Sequence, residues 1–154
     1  MERTGDTSHH PVLLDFPAPE LNGYTMESTI AEKFQAMVKF GVLNSRMKDF
    51  YDIWMLSRTF DFRGELLSEA VSKTFETRNM PITTTPSVFD PSFAKEPDKK
   101  IQWRSFIRKA RLVDAPEAFE DVVAAVKMFL EPPVVSLAEG WKFQGVWDAP
   151  GPWR

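Results

Sequence analysis

From Glu27 to Leu130 the apolar residues recur at intervals of three and four, and strict alternation is almost absent. That spacing puts side chains on one face of a helix, not on one face of a strand, so the chain is bound to a mainly helical fold. The punctuation agrees. The first helix is predicted over Glu27–Phe40, with Gly41 as its stop, and the second over Arg46–Phe60. A third is predicted over Glu65–Arg78, with Leu66, Leu67, Ala70, Val71 and Phe75 as its stripe. The Thr/Pro-rich run NMPITTTPSVFDP reads as a loop. After Pro97, DKKIQWRSFIRKARL reads as a fourth helix with Ile101, Trp103, Phe106 and Ile107 inward. Asp114, followed by Pro116 and Glu117, is placed to cap a fifth helix that Pro132-Pro133 should end. Val134 to Ala138 adds one further turn.

The only strand candidate in the N-terminal part is VLLDF, Val12 to Phe16, which PAPELNGY interrupts. A lone strand needs partners, and the sequence offers almost none. The expected organisation is a loose N-terminus with that strand at residues 1–25, a helical region at 26–139, and a Trp-rich tail at 140–154. The tail, WKFQGVWDAPGPWR, is expected to cross the helices as an irregular aromatic strap.

Composition narrows the class. Hydrophobic residues make up 43% and charged residues 27% of the 154, a balance that supports a core. The net charge of -3 gives no global pull toward nucleic acid or anionic membranes, which leaves room for a local basic patch. There is no cysteine, so disulfides and thiol chemistry are excluded. No apolar run reaches the ~20 residues of a membrane span, and the N-terminus does not read as a signal peptide. The expected location is the cytoplasm.

Two helices carry the residues of interest. On a wheel at about 100° per residue, Ile30, Phe34, Met37, Val38 and Phe40 share one face of the first helix, and Glu32, Gln35 and Lys39 the opposite face. Lys33 lies at the edge of the apolar stripe. A lysine there either snorkels to water or meets an anion, such as a phosphate. In the second helix Met47, Phe50, Ile53 and Trp54 form the core face, while Lys48, Asp49 and Asp52 fall within an arc of roughly 100° elsewhere. Spacing alone leaves two readings open. The arc is a solvated face, or it is a site in which carboxylates hold a metal or a proton and the bases hold phosphate.

The run STIAEKFQAMVKFGVLNSRMKDFYDIWML resembles the signature of the AbiEii/AbiGii family of nucleotidyltransferase toxins. The matching elements are Ala31-Glu32-Lys33 with Ala36, then Arg46-x-Lys48-Asp49-x-x-Asp52, flanked by LLDFPAPELNGY before and TFETR after. The resemblance implies a polymerase β-like nucleotidyltransferase with Mg2+ and a nucleoside triphosphate as cofactors. It also implies a cognate antitoxin and, for some members, a tRNA acceptor. Lys33 is then expected to contact the triphosphate. Asp49 or Asp52 would support the catalytic centre, as a base or by holding a metal ligand in place, and Arg46 and Lys48 would balance charge near the phosphates or the acceptor.

The family's N-terminal half carries a Gly-Ser turn on a sheet, followed by an Asp-x-Asp metal pair. This sequence has neither; Glu96-Pro97-Asp98 is the nearest imitation, in the wrong place. Transfer of this kind depends on metal to neutralise charge and align the nucleophile, so little transfer is expected from the chain alone. The chain therefore reads as the helical C-terminal portion of such a protein, with one or two short N-terminal strands and no metal site of its own. On this account it works with a complementing N-terminal chain, or serves as a helical binding module or remnant docking an antitoxin or RNA. Loss of the sheet should also leave the first two helices with bare apolar faces that favour self-association.

Smaller features have plain readings. His9 and His10 form a pair with no further His or Cys ligand nearby. Arg104, Arg108, Lys109 and Arg111 form either the wet side of a packed helix or a contact for an RNA backbone. Trp141, Trp147 and Trp153 are expected to cover the core rather than to stack bases.

Overall fold

The computed structural model describes residues 25–41 and 46–154. The expected strand at Val12–Phe16 and the His9-His10 pair lie outside them. Within them the fold is mainly helical. Its long helices are α1 (Met26–Phe40), α2 (Met47–Thr59), α3 (Gly64–Thr77), α5 (Pro97–Lys109) and α6 (Phe119–Glu139). A short α4 (Pro91–Lys95) lies between α3 and α5, preceded by one 3-10 turn at Ser87–Phe89. Two two-residue strands, β1 (Phe62–Arg63) and β2 (Val146–Trp147), pair antiparallel with Phe62 opposite Trp147. The described strands thus sit between α2 and α3 and in the tail, two places where none was expected.

Local chemistry sets the ends. Thr25 caps α1 by accepting a hydrogen bond from the Ser28 backbone N–H at 3.0 Å. Asp90 caps α4, accepting from both the backbone N–H and the hydroxyl of Ser92. Gly41 closes α1 at φ 54°, in the region that favours glycine.

The apolar faces of α1 and α3 pack together through Phe34, whose ring lies 5.6 Å from Phe75 and 5.7 Å from Phe89. Burying a side chain of this size is worth about 1.5–3 kcal/mol. Helix α2 runs through the middle, and its residues Tyr51 to Ser57 are all buried. Helix α6 covers α2 and α3, and Phe119 packs its first turn against Phe50, Phe93 and Trp103. The expectation of bare apolar faces on the first two helices is therefore not met among the described residues. Ile30, Phe34, Met37, Met47, Phe50 and Ile53 are all covered. Large exposed apolar side chains are instead scattered over several elements.

Four sequence expectations need correction. Gln35, placed on the wet face of α1, is buried against the Met80 sulfur at 3.7 Å, while Phe40 is exposed beside Arg46 and Lys39. On α3, Leu66 points outward and the stripe narrows to Leu67, Val71 and Phe75. On α5, Trp103 is fully buried but Ile101 is 63% exposed. Two residues along a helix are about 200° apart, so both face inward only where neighbours cover more than one side, and α5 is covered on one. The buried face carries Lys99 instead, one turn before Trp103, with its amine 5.6 Å from the Phe93 ring.

The fourth correction concerns α6. It begins at Phe119, with Ala118 at its N-cap rather than Asp114, and the Pro116 carbonyl accepts from the Trp103 indole at 2.8 Å. It also runs through Pro132 and Pro133 to Glu139. A proline at position 133 cannot donate to the carbonyl of Phe129. The Trp153 indole N–H supplies that missing donor, at 2.8 Å. The tail thus repairs the helix that the prolines were expected to break.

The rest of the tail is more regular than expected. Val146 and Arg154 exchange backbone hydrogen bonds, and Trp147 pairs with Trp153. The Trp147 indole donates to the Ser57 carbonyl at 2.7 Å, a group left open by the end of α2. Gly64 lets this strap approach, since a Cβ there would meet the Phe143 ring at 2.5 Å. Trp141 does not join in. It is 50% exposed and donates to Glu139 at 2.9 Å.

Candidate functional site

The first turn of α2 points its charged arc at α1. The arc is not a solvated face: Asp49 is 3% exposed and Asp52 0%. Burying carboxylates without partners is costly, so the surrounding cations are a structural necessity. Lys33 reaches across from α1, with its amine 3.0 Å from Asp52 Oδ2 and 3.4 Å from Asp49 Oδ1. Lys48, one turn before Asp52, closes to 2.8 Å on the same Oδ2. Arg46, at the N-cap of α2, brings its Nε to 3.0 Å from Asp49 Oδ2. The lysine at the edge of the apolar stripe therefore meets anions of its own chain. The structure brings together all five expected residues, Lys33, Arg46, Lys48, Asp49 and Asp52, as three cations on two carboxylates.

The cluster sits on a wall between two clefts. One, of about 380 Å³, is lined by Thr29, Glu32, Lys33, Arg46, Asp49 and Arg78 among others. The other, of about 720 Å³, runs toward α5 and adds Lys48, Gln102, Ser105, Phe106 and Lys109. Arg46 and Lys48 are about half exposed on the open side, while Lys33, with 21% of its side chain exposed, lies deeper. Arg78 pairs with Glu32 at 2.6 Å and ties the end of α3 to α1 at the rim.

Tyr51, beside Asp52, borders the cluster from the core. Burial, then the Asp114 and Asp52 carboxylates, push its phenol up to about 12. It stays protonated across the neutral range and is not a base.

Part of the α5 wall escaped the sequence reading. Gln102 and Ser105 lie more than forty positions beyond the end of α2, and no local pattern announces them, whereas Lys109 was noted only within the basic run of its own helix. Arg78 did leave a signal, as the last residue of TFETR.

Mg2+ prefers a near-octahedral shell of oxygens. Among the described residues no group of three or more His, Cys, Asp or Glu side chains converges. Asp49 and Asp52 are each engaged by ammonium or guanidinium groups at 2.8–3.4 Å. The described residues therefore do not fit a resident Mg2+.

Comparison with known proteins agrees with the residues of α1 and α2. No curated protein and no solved structure gives a match. The family described as nucleotidyl transferase AbiEii toxin, type IV TA system, matches residues 2–125, which include the whole cation–carboxylate cluster. The chain belongs to the AbiEii nucleotidyltransferase toxin family.

Proposed function

We propose that this chain is the cation-bearing helical module of an AbiEii-type toxin, binding phosphate groups without performing transfer by itself. Lys33, Arg46 and Lys48 face the triphosphate of a nucleotide that arrives with its own Mg2+. Asp49 and Asp52 position those cations. An RNA acceptor such as tRNA and a cognate antitoxin are the partners this reading implies. The observation that supports it is the three-on-two ion cluster at the wall shared by both clefts. Arg46 and Lys48 lie on the open side, where a phosphate can approach them, and Lys33 lies deeper in the wall. Guanidinium and ammonium groups suit phosphate oxygens, and charge-assisted bonds of this kind are worth about 1.5–3 kcal/mol.

A second reading keeps Asp49 and Asp52 as participants in transfer, with the metal-binding carboxylates supplied by a partner chain. It is favoured by Asp52 Oδ1, which is buried with no hydrogen-bond partner among the described residues.

The test is binding of a labelled nucleoside triphosphate with Mg2+, followed by its incorporation into RNA. Saturable binding that weakens about tenfold or more in Arg46→Ala and Lys48→Ala is expected, at ~1.4 kcal/mol per tenfold. No incorporation by the chain alone is expected. Incorporation that disappears in Asp49→Asn would establish the second reading, and absence of saturable binding would refute the first.

A further inference from the structure

The end of α5 carries a row of cations that the cluster does not use. Arg104, Arg108 and Arg111 are spaced at four and three residues, which places them on one side of the helix and its exit. All three are exposed. Among the described residues none of them makes an ion pair. Like charges at this spacing disfavour a helix, so the row works against the element that carries it. Across Pro97–Lys109 one acid, Asp98, stands against five bases. The negative end of a helix accounts for cations in its last turn, namely Arg108 and Lys109. It does not account for Arg104, one turn earlier, nor for Arg111, which lies beyond the helix at φ 57°.

The row borders a groove of about 500 Å³ lined by Arg104, Ile107, Arg108, Arg111, Leu112 and Val113, with Glu117 its only acid. Val113 is 97% exposed. Guanidinium groups beside an apolar floor match a strand with a charged backbone and flat, weakly polar bases. Arginine planes pair with phosphates and stack on bases alike. Lys109, on the same last turn, lines the larger cleft that holds Lys33, Arg46 and Lys48. Helix α5 therefore separates the groove from the cation cluster by its own width.

We infer that Arg104, Arg108 and Arg111 hold the phosphodiester backbone of a single-stranded polynucleotide and lead its end over α5 toward the cation cluster. This rests on the phosphate-binding reading of that cluster and adds a separate surface to it.

The test uses the full chain and two probes: a short fluorescein-labelled oligouridylate followed by anisotropy, and a labelled nucleoside triphosphate with Mg2+. Arg104→Ala/Arg108→Ala/Arg111→Ala should weaken oligouridylate binding at least tenfold. Its dependence on salt should also flatten, since each lost phosphate contact removes ~0.7 from the slope of log K against log salt for single strands. Triphosphate binding should not change. Lysines at the three positions should keep most of the salt slope. The inference is overturned if the triple alanine variant binds the oligonucleotide as wild type does, or if polyglutamate competes as well as oligouridylate. Loss of triphosphate binding in Lys48→Ala with intact oligonucleotide binding separates the two surfaces. Absence of triphosphate binding in the wild type would sink the cluster's reading while leaving the arginine row to be judged by its own probe.

Discussion

Asp52 is the most deeply buried charge in the cluster, and its two cations both reach water. This asymmetry predicts an unusual order of stabilities. In Lys33→Met/Lys48→Met the aspartate loses the amines at 3.0 and 2.8 Å and stays at 0% exposure. Stranding a buried charge by removing its partners costs about 3–5 kcal/mol. For a chain of this length, at about 2–4 °C per kcal/mol, the melting temperature should fall by roughly 6–20 °C. Adding Asp52→Asn removes the stranded charge and leaves an amide among methionine side chains. The triple variant should therefore be more stable than the double, although it departs further from the natural sequence. Asp52→Asn alone should cost less than the double, since Lys33 keeps Asp49 at 3.4 Å and Lys48 can rehydrate. Urea unfolding followed by tryptophan fluorescence and far-ultraviolet circular dichroism gives all four values. A triple variant less stable than the double would refute the reasoning, because the aspartate would then be supported by something other than the two lysines.

Two further outcomes follow from the tail and from the core. Trp153→Phe should cost about 1–3 kcal/mol by leaving the Phe129 carbonyl without its donor; adding Pro133→Ala, which restores a backbone N–H, should recover much of it, and no recovery in thermal melts would show that the indole serves otherwise. Tyr51 titrates near 12 in the folded chain against 10.0 for the free side chain, so the unfolded state loses its proton first. Its contribution to stability is full below pH 10 and declines as pH rises toward 12. Tyr51→Phe should flatten that decline, and unchanged alkaline melting curves would count against it.

The sequence alone determined the helices and the identity of the charged cluster. Spacing at three and four marks α1, α2, α3 and α5, because a helix rotates about 100° per residue and only such spacing keeps one side dry. Lys33 stood out for the same reason, and the run Arg46 to Asp52 lies within the part of the chain that the family matches. What the charges do to one another was not legible. Whether Asp49 and Asp52 face water depends on α1, sixteen residues back, bringing Lys33 across them, and on the rest of α2 being enclosed by α5 and α6. A single helix wheel has one dry side, whereas α2 is dry almost all round. The prolines of α6 show the same limit. Locally they are helix breakers, since each removes a donor. Only the tail, folded back across twenty residues to place the Trp153 indole on the Phe129 carbonyl, supplies the replacement that lets the helix continue. Periodicity fixes which side of a helix is apolar, but the number of sides that become buried is decided by how many neighbours arrive, and that is a property of the assembled chain.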